Sequence, residues 1–157
     1  MKKEILKGFT MLALIITLAL ATAVVSANAQ SKTIVANVPF DFVVGSQAMP
    51  SGKYITNPAT SDGRALMIKS ADAKNAVIRL ANTIQRKGST TNARMVFHRY
   101  GDRYFLAEVW NGGDSTGFEL LKSRQERALQ HELASISPKS EPGQSLYEIV
   151  EVVAALR

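Results

Sequence analysis

The sequence predicts a mainly β domain, an antiparallel β-sandwich or small β-barrel of about six to eight strands with one short helix in its C-terminal half. Three observations predict it. Short stretches that alternate apolar and polar residues recur along the chain, as strands with one buried face do. Turn-forming Gly, Pro, Asn and Asp separate them at short intervals. A helix-start signal followed by helical spacing is convincing only once, after Ser123.

The domain is preceded by a different kind of sequence. Met1 to Gly8 carries Lys2, Lys3 and Lys7 against a lone Glu4, and Phe9 to Val25 is without charge. Ala27-Asn28-Ala29 then supplies small residues before Gln30. The order basic, apolar, A-x-A predicts an export signal over residues 1–29 cleaved after Ala29, and hence a periplasmic or secreted protein. The alternative is a retained anchor, since a spanning helix needs about 20 apolar residues. No cysteine follows the cleavage site, so a lipid-anchored lipoprotein is excluded, and no later stretch could span a membrane.

Residues 30–157 then form a single domain. The chain's formal charge of +6 includes the three lysines and one glutamate of the leader, so the domain keeps a smaller basic excess. Scattered Lys and Arg of this kind usually form a solvated face. With no cysteine at all, the domain relies on neither disulfides nor thiolate metal sites, and a single packed core can suffice at this length.

The first strand is TIVANVPFDFVV, in which Ile34, Ala36, Val38, Phe40 and Phe42 alternate with Val35, Asn37, Pro39, Asp41 and Val43. Pro39 has no amide hydrogen for a ladder, which suits an edge or a bulge. Met49-Pro50-Ser51-Gly52 reads as a turn, Lys53 to Asn57 as a second strand and Pro58 to Arg64 as a polar loop. Ala65 to Ser70 is a third strand and Ala76 to Ile84 a fourth, with Ile78, Leu80 and Ile84 on one face and Arg79 and Thr83 on the other.

Met95 to Trp110 is the organising hairpin. Gly101-Asp102 lies between two runs of β-formers, and Gly tolerates the positive φ that a type II′ turn requires at its first central position. A two-residue turn sets Tyr100 opposite Arg103, Arg99 opposite Tyr104, His98 opposite Phe105 and Phe97 opposite Leu106. Strict alternation then puts Met95, Phe97, Tyr104, Leu106, Glu108 and Trp110 on one face and Val96, His98, Phe105, Ala107 and Val109 on the other. Both faces are substantially apolar, which predicts cover on both sides, with the helix on one. Glu108 among apolar neighbours needs a partner or a wet cavity.

Asn111 to Gly117 reads as a glycine-rich loop. Ser123-Arg124-Gln125-Glu126 fits a capping box, opening a helix over about residues 123–135 with Leu129, Leu133 and Ile136 as a narrow apolar stripe. So short a helix must lean on the sheet. Residues 138–145 form a connection. The closing LYEIVEVVAALR fits helical spacing as well, but its Val and Ile favour a last strand over 146–156.

Chemistry-bearing patterns are sparse. Gly113-Asp114-Ser115-Thr116-Gly117 is formally G-x-S-x-G, with Glu119 or Glu126 and then His131 in hydrolase order. That motif needs a strand-to-helix turn in an α/β sheet, which this pattern does not offer, so a hydrolase using Ser115 is the least favoured reading and no catalytic residue is expected. His98 and His131 are the only histidines, and Glu108, Glu126 or Glu132 would have to complete a zinc set without any H-x-H or H-x-x-x-H spacing, so no metal and no cofactor is expected. Arg99, Tyr100, Arg103, Tyr104 and Trp110 could stack on nucleic acid, but export argues against that partner.

Val38-Pro39-Phe40-Asp41-Phe42, Met49-Pro50-Ser51-Gly52-Lys53-Tyr54 and Val96 to Trp110 together resemble a group of small exported bacterial proteins. Their pattern is V-P-F-x-F, then L-P-x-G-x-Y, then F-H-R-Y-G-x-x-Y-F-L, with Met49 here in place of Leu. The likeness runs from Val38 to about Glu132. It implies export and a β-rich fold and brings no activity with it.

Two functional expectations follow. One is a non-catalytic binding or cell-envelope interaction module whose partner is an envelope protein or a glycan. The other is a small barrel holding an apolar small molecule or lipid, lined by Tyr104, Leu106, Glu108 and Trp110, with Arg99 beside them.

Overall fold

The computed structural model describes residues 33–88, 92–113, 115–136 and 146–157. The leader, its cleavage site at Ala29, Asp114 and the 138–145 connection lie outside these. Among the described residues there are ten strands and one helix: β1 (Ile34–Val38), β2 (Phe42–Val44), β3 (Gln47–Met49), β4 (Gly52–Pro58), β5 (Ala65–Ser70), β6 (Ala76–Gln85), β7 (Ala93–Tyr100), β8 (Arg103–Trp110), β9 (Thr116–Leu120), α1 (Arg124–Ile136) and β10 (Glu148–Leu156).

Eight of the strands close on themselves. The order β8-β7-β10-β1-β4-β5-β6-β9 returns to β8, because β9 pairs with β6 on one side and β8 on the other. The barrel is antiparallel throughout, and β2 and β3 form an extra hairpin joined to β8 by a parallel contact at Val43 and Phe105. Of the two architectures expected, the barrel is the one formed.

Closure depends on two strands that carry weak local signals. The last strand, β10, enters between β7 and β1 and joins the two ends of the fold. β9 is TGFEL, where a glycine-rich loop is expected up to Gly117; its glycine has a tertiary reason. The Trp110 indole lies against Gly117 so closely that an added Cβ would come within 2.6 Å of indole Cε3. Packing against a large aromatic thus offsets the poor strand propensity of glycine.

The interior is filled by side chains, as the bore of an eight-stranded barrel permits. Tyr54, Leu66, Ile68, Met95, Phe97 and Val109 are among its fully buried members. The β2–β3 hairpin leaves the wall after Val38 and returns at Gly52, and those two residues are register partners in neighbouring strands. It brings Phe42, Val44 and Met49 into the same core, with Phe42 edge-on to Tyr54 at 4.9 Å and to Phe97 at 5.3 Å. The continuous first strand expected through Val43 is therefore broken after Val38, at Pro39, where the ladder donor is missing.

The hairpin register agrees with expectation from Tyr100–Arg103 to Phe97–Leu106, and φ is positive at Gly101 alone in the turn, +59°. Beyond that the register shifts. Val96 pairs with Glu108, so Ala107 is an extra residue, a β-bulge. One extra residue inverts the remaining alternation. Tyr104 and Leu106 face the core, Val109 joins them opposite Met95, and Glu108 and Trp110 cross to the outer face beside Val96 and Arg94.

β6 has the two faces that its alternation predicts, and closure decides which of them is buried. Its inward residues are Val77, Arg79 and Ala81, whereas the apolar set Ile78 and Leu80 points outward, 60% and 67% exposed. Arg79 is accommodated because its guanidinium lies against Gly45 of the β2–β3 turn, in the space a Cβ would take. Barrel closure, not hydrophobicity alone, sets which face of this strand is inside.

Candidate functional site

The five residues singled out by the sequence fall into separate places. At the turn end of the hairpin, Tyr104 stacks on Phe40 at 3.9 Å and Arg99 lies 5.6 Å from the Tyr104 ring. Arg99 Nε donates to Gly101 O at 2.8 Å and Nη1 to Glu148 Oε2 at 3.1 Å. An open cleft of about 490 Å³ lies beside them, lined by Arg99, Gly101, Leu146, Tyr147 and Glu148. Its cation is thus already engaged by protein oxygens. Leu106 is part of the packed interior and lines no opening.

Past the bulge, Trp110 Nε1 donates to Glu108 Oε2 at 2.6 Å, which supplies the partner that a half-buried carboxylate needs. The Arg86 and Arg94 guanidinium groups lie 5.7 and 5.6 Å from the indole centroid. Two Arg94 nitrogens, Nε and Nη2, make no hydrogen bond, and the aromatic face together with Glu151 at 3.5 Å compensates their charge. Trp110 is only 5% exposed beneath this cover, so it is sheet packing and not an open stacking platform.

A third cluster joins α1 to the barrel wall. Ser123 Oγ accepts from Glu126 N at 3.0 Å, half of a capping box. The other half is redirected: Glu126 Oε1 accepts from His98 Nδ1 at 2.8 Å and from the Tyr100 hydroxyl at 3.2 Å, while Gln130 Nε2 donates to Tyr100 Oη at 2.7 Å. Glu126 is 3% exposed. Burial first, then the Glu126 charge and hydrogen bond, hold the Tyr100 hydroxyl well above the usual tyrosine range. The helix is tied down by these polar bonds, since Leu129 and Leu133 are only half-buried and Ile136 is exposed.

His98 therefore meets one of the acids considered for a metal, but as a two-residue contact. Among the described residues no three His, Asp or Glu side chains group as a metal site would require. Ser115 stands immediately before β9, between two strands, and its carbonyl accepts from Arg86 N at 3.0 Å. No hydrogen bond among the described residues joins it to Glu126 or His131.

The surface feature that sequence reasoning missed lies on the opposite wall. Register puts the outward residues Ala155, Val35, Ile55 and Lys69 in one row across β10, β1, β4 and β5. Asn57, Met67 and Ile78 form the next row, and Leu80 follows opposite Ala65. The apolar members make a continuous diagonal across five strands, with Ile78 and Leu80 its most exposed end. The signal was present in the sequence, because Val77, Ile78, Leu80 and Ala81 offer apolar residues on both faces of β6. Deciding between those faces required the closure.

Comparison of the chain with protein-family models, with curated proteins and with solved structures gave no match.

Proposed function

We propose that the chain is an exported, non-catalytic barrel that binds a component of the cell envelope through its outer wall. The observation that carries this is the apolar diagonal on β10, β1, β4, β5 and β6. Contiguous apolar surface of this kind is uncommon unless something covers it, and it marks interaction sites. The packed interior supports the same reading, because the described core residues occupy the space that an enclosed ligand would need. The leader sequence supports the envelope as the place of action. Among the described residues no helix is long and apolar enough to cross a membrane.

The test is photo-crosslinking in intact cells from a photoreactive residue at position 80, with position 125 on the exposed side of α1 as control. An adduct formed from 80 and not from 125 is the expected result. Adducts from 125 alone, or from neither position, would sink the outer-wall reading.

A further inference from the structure

We propose that the outer wall of β4, β5 and β6 docks on an anionic lipid surface. This rests on the outer-wall reading and adds the chemistry of what that wall meets. Tyr54 is buried in the core, so its neighbours Lys53 and Ile55 point outward, and Lys69 is the register partner of Ile55. Two lysines thus flank Ile55, Met67 and Ile78 on one side of the diagonal. Neither has a carboxylate within ion-pair distance among the described residues, whereas Asp72 faces Lys74 at 3.6 Å and Asp62 faces Arg64 at 3.5 Å.

Exposed apolar side chains beside unneutralised lysines are the arrangement by which peripheral proteins hold an anionic bilayer. The apolar groups enter the boundary between headgroups and acyl chains, and the long lysine stems carry their charge back to the phosphates. Curvature favours the same occupant. Five adjacent strands of a closed barrel cannot all touch a flat rigid partner, but fluid headgroups can close around the curved wall at Ile78 and Leu80. A second copy of the chain fits less well, since it would bring further unpaired lysines to a band whose neighbouring acid, Asp62 beside Leu80, is already paired with Arg64.

The experiment is co-sedimentation of the processed protein with vesicles of phosphatidylcholine alone and of phosphatidylcholine mixed with phosphatidylglycerol. Binding is expected to be about tenfold or more tighter to the anionic vesicles and to weaken with salt. The double variant I78D/L80D should lose binding to both. The double variant K53Q/K69Q should lose the preference for anionic lipid. Circular dichroism of each variant should match the parent, because all four side chains point away from the core; a misfolded variant is replaced by the milder I78S/L80S. Equal binding to the two vesicles, no binding to either, or full binding by I78D/L80D overturns the proposal. A dimer that L80D abolishes also overturns it, assigning the face to a second copy. A position-80 crosslink to protein, with no vesicle binding, leaves the outer-wall reading standing and removes only the lipid.

Discussion

The β7–β8 hairpin and strand β6 both alternate in sequence, yet local chemistry fixes the pairing at the turn end of the hairpin and leaves the buried face of β6 open. In the hairpin, turn chemistry at Gly101-Asp102 fixes which residues face each other, and four successive pairs follow from it. In β6 nothing local fixes the inward face. Apolar residues occupy both sides, and the strand takes the orientation in which Ala81 packs inside and Arg79 meets Gly45. Alternation therefore establishes a strand and its two faces. It does not by itself say which face is buried.

The largest expected effect breaks the hairpin's half of this comparison. Inserting one alanine between Val96 and Phe97 gives Ala107 a partner, removes the bulge and forces strict alternation through Trp110. Val109 would leave the core, and Glu108 and Trp110 would turn into it. Burying an unpaired carboxylate and losing a buried valine together should cost more than about 4 kcal/mol. Urea unfolding and near-ultraviolet circular dichroism would detect it. An insertion variant of parental stability would mean that the bulge does not set the faces of β8.

Much of the fold was legible because its signals are local. The turn at Gly101, the helix start at Ser123 and most of the strands can be read from residue type and spacing. What was not legible is non-local. The bulge at Ala107 has no glycine to announce it, and β9 is a strand because Trp110 needs Gly117 beneath it. Arg79 faces inward because a hairpin some thirty residues earlier leaves room for it. The candidate site divided for the same reason: Tyr104 and Trp110 share a face only if no residue is inserted between them. The outer band escaped notice because its members come from five strands whose neighbours only the closed barrel defines.

Two intermediate effects sharpen the contrast between local and tertiary control. Glu126→Ala should cost about 1–3 kcal/mol, since it leaves His98 and Tyr100 without their common acceptor. Hydrogen exchange should show the loss as faster opening of α1, with the barrel strands less affected. Uniform acceleration across the barrel would mean that the network supports the whole fold. Gly45→Ala should cost roughly 1–2 kcal/mol from its positive φ, +65°, with more from the overlap with Arg79. Adding R79A should recover only the overlap. Complete recovery would show that the turn carries no backbone strain, and no recovery would show that Arg79 does not occupy that space.

The smallest effect concerns pH and again separates α1's anchor from the barrel wall. Below about pH 10, Tyr100 is protonated in both folded and unfolded chains, so it adds no pH dependence. Above that, the unfolded chain releases the proton first, because burial and Glu126 hold the folded hydroxyl protonated. The unfolded state then binds fewer protons, and stability must fall as pH rises from the unfolded value through the higher folded one. Tyr54 is shifted in the same direction by burial and by Asp72 and Asp41, so the parent should show both contributions. Tyr100→Phe should run parallel to the parent below about pH 10 and decline less steeply above it, in urea midpoints taken across the alkaline range. An unchanged alkaline slope would mean that Tyr100 ionises as readily in the folded protein as in the unfolded chain, and that α1 does not seal its hydroxyl.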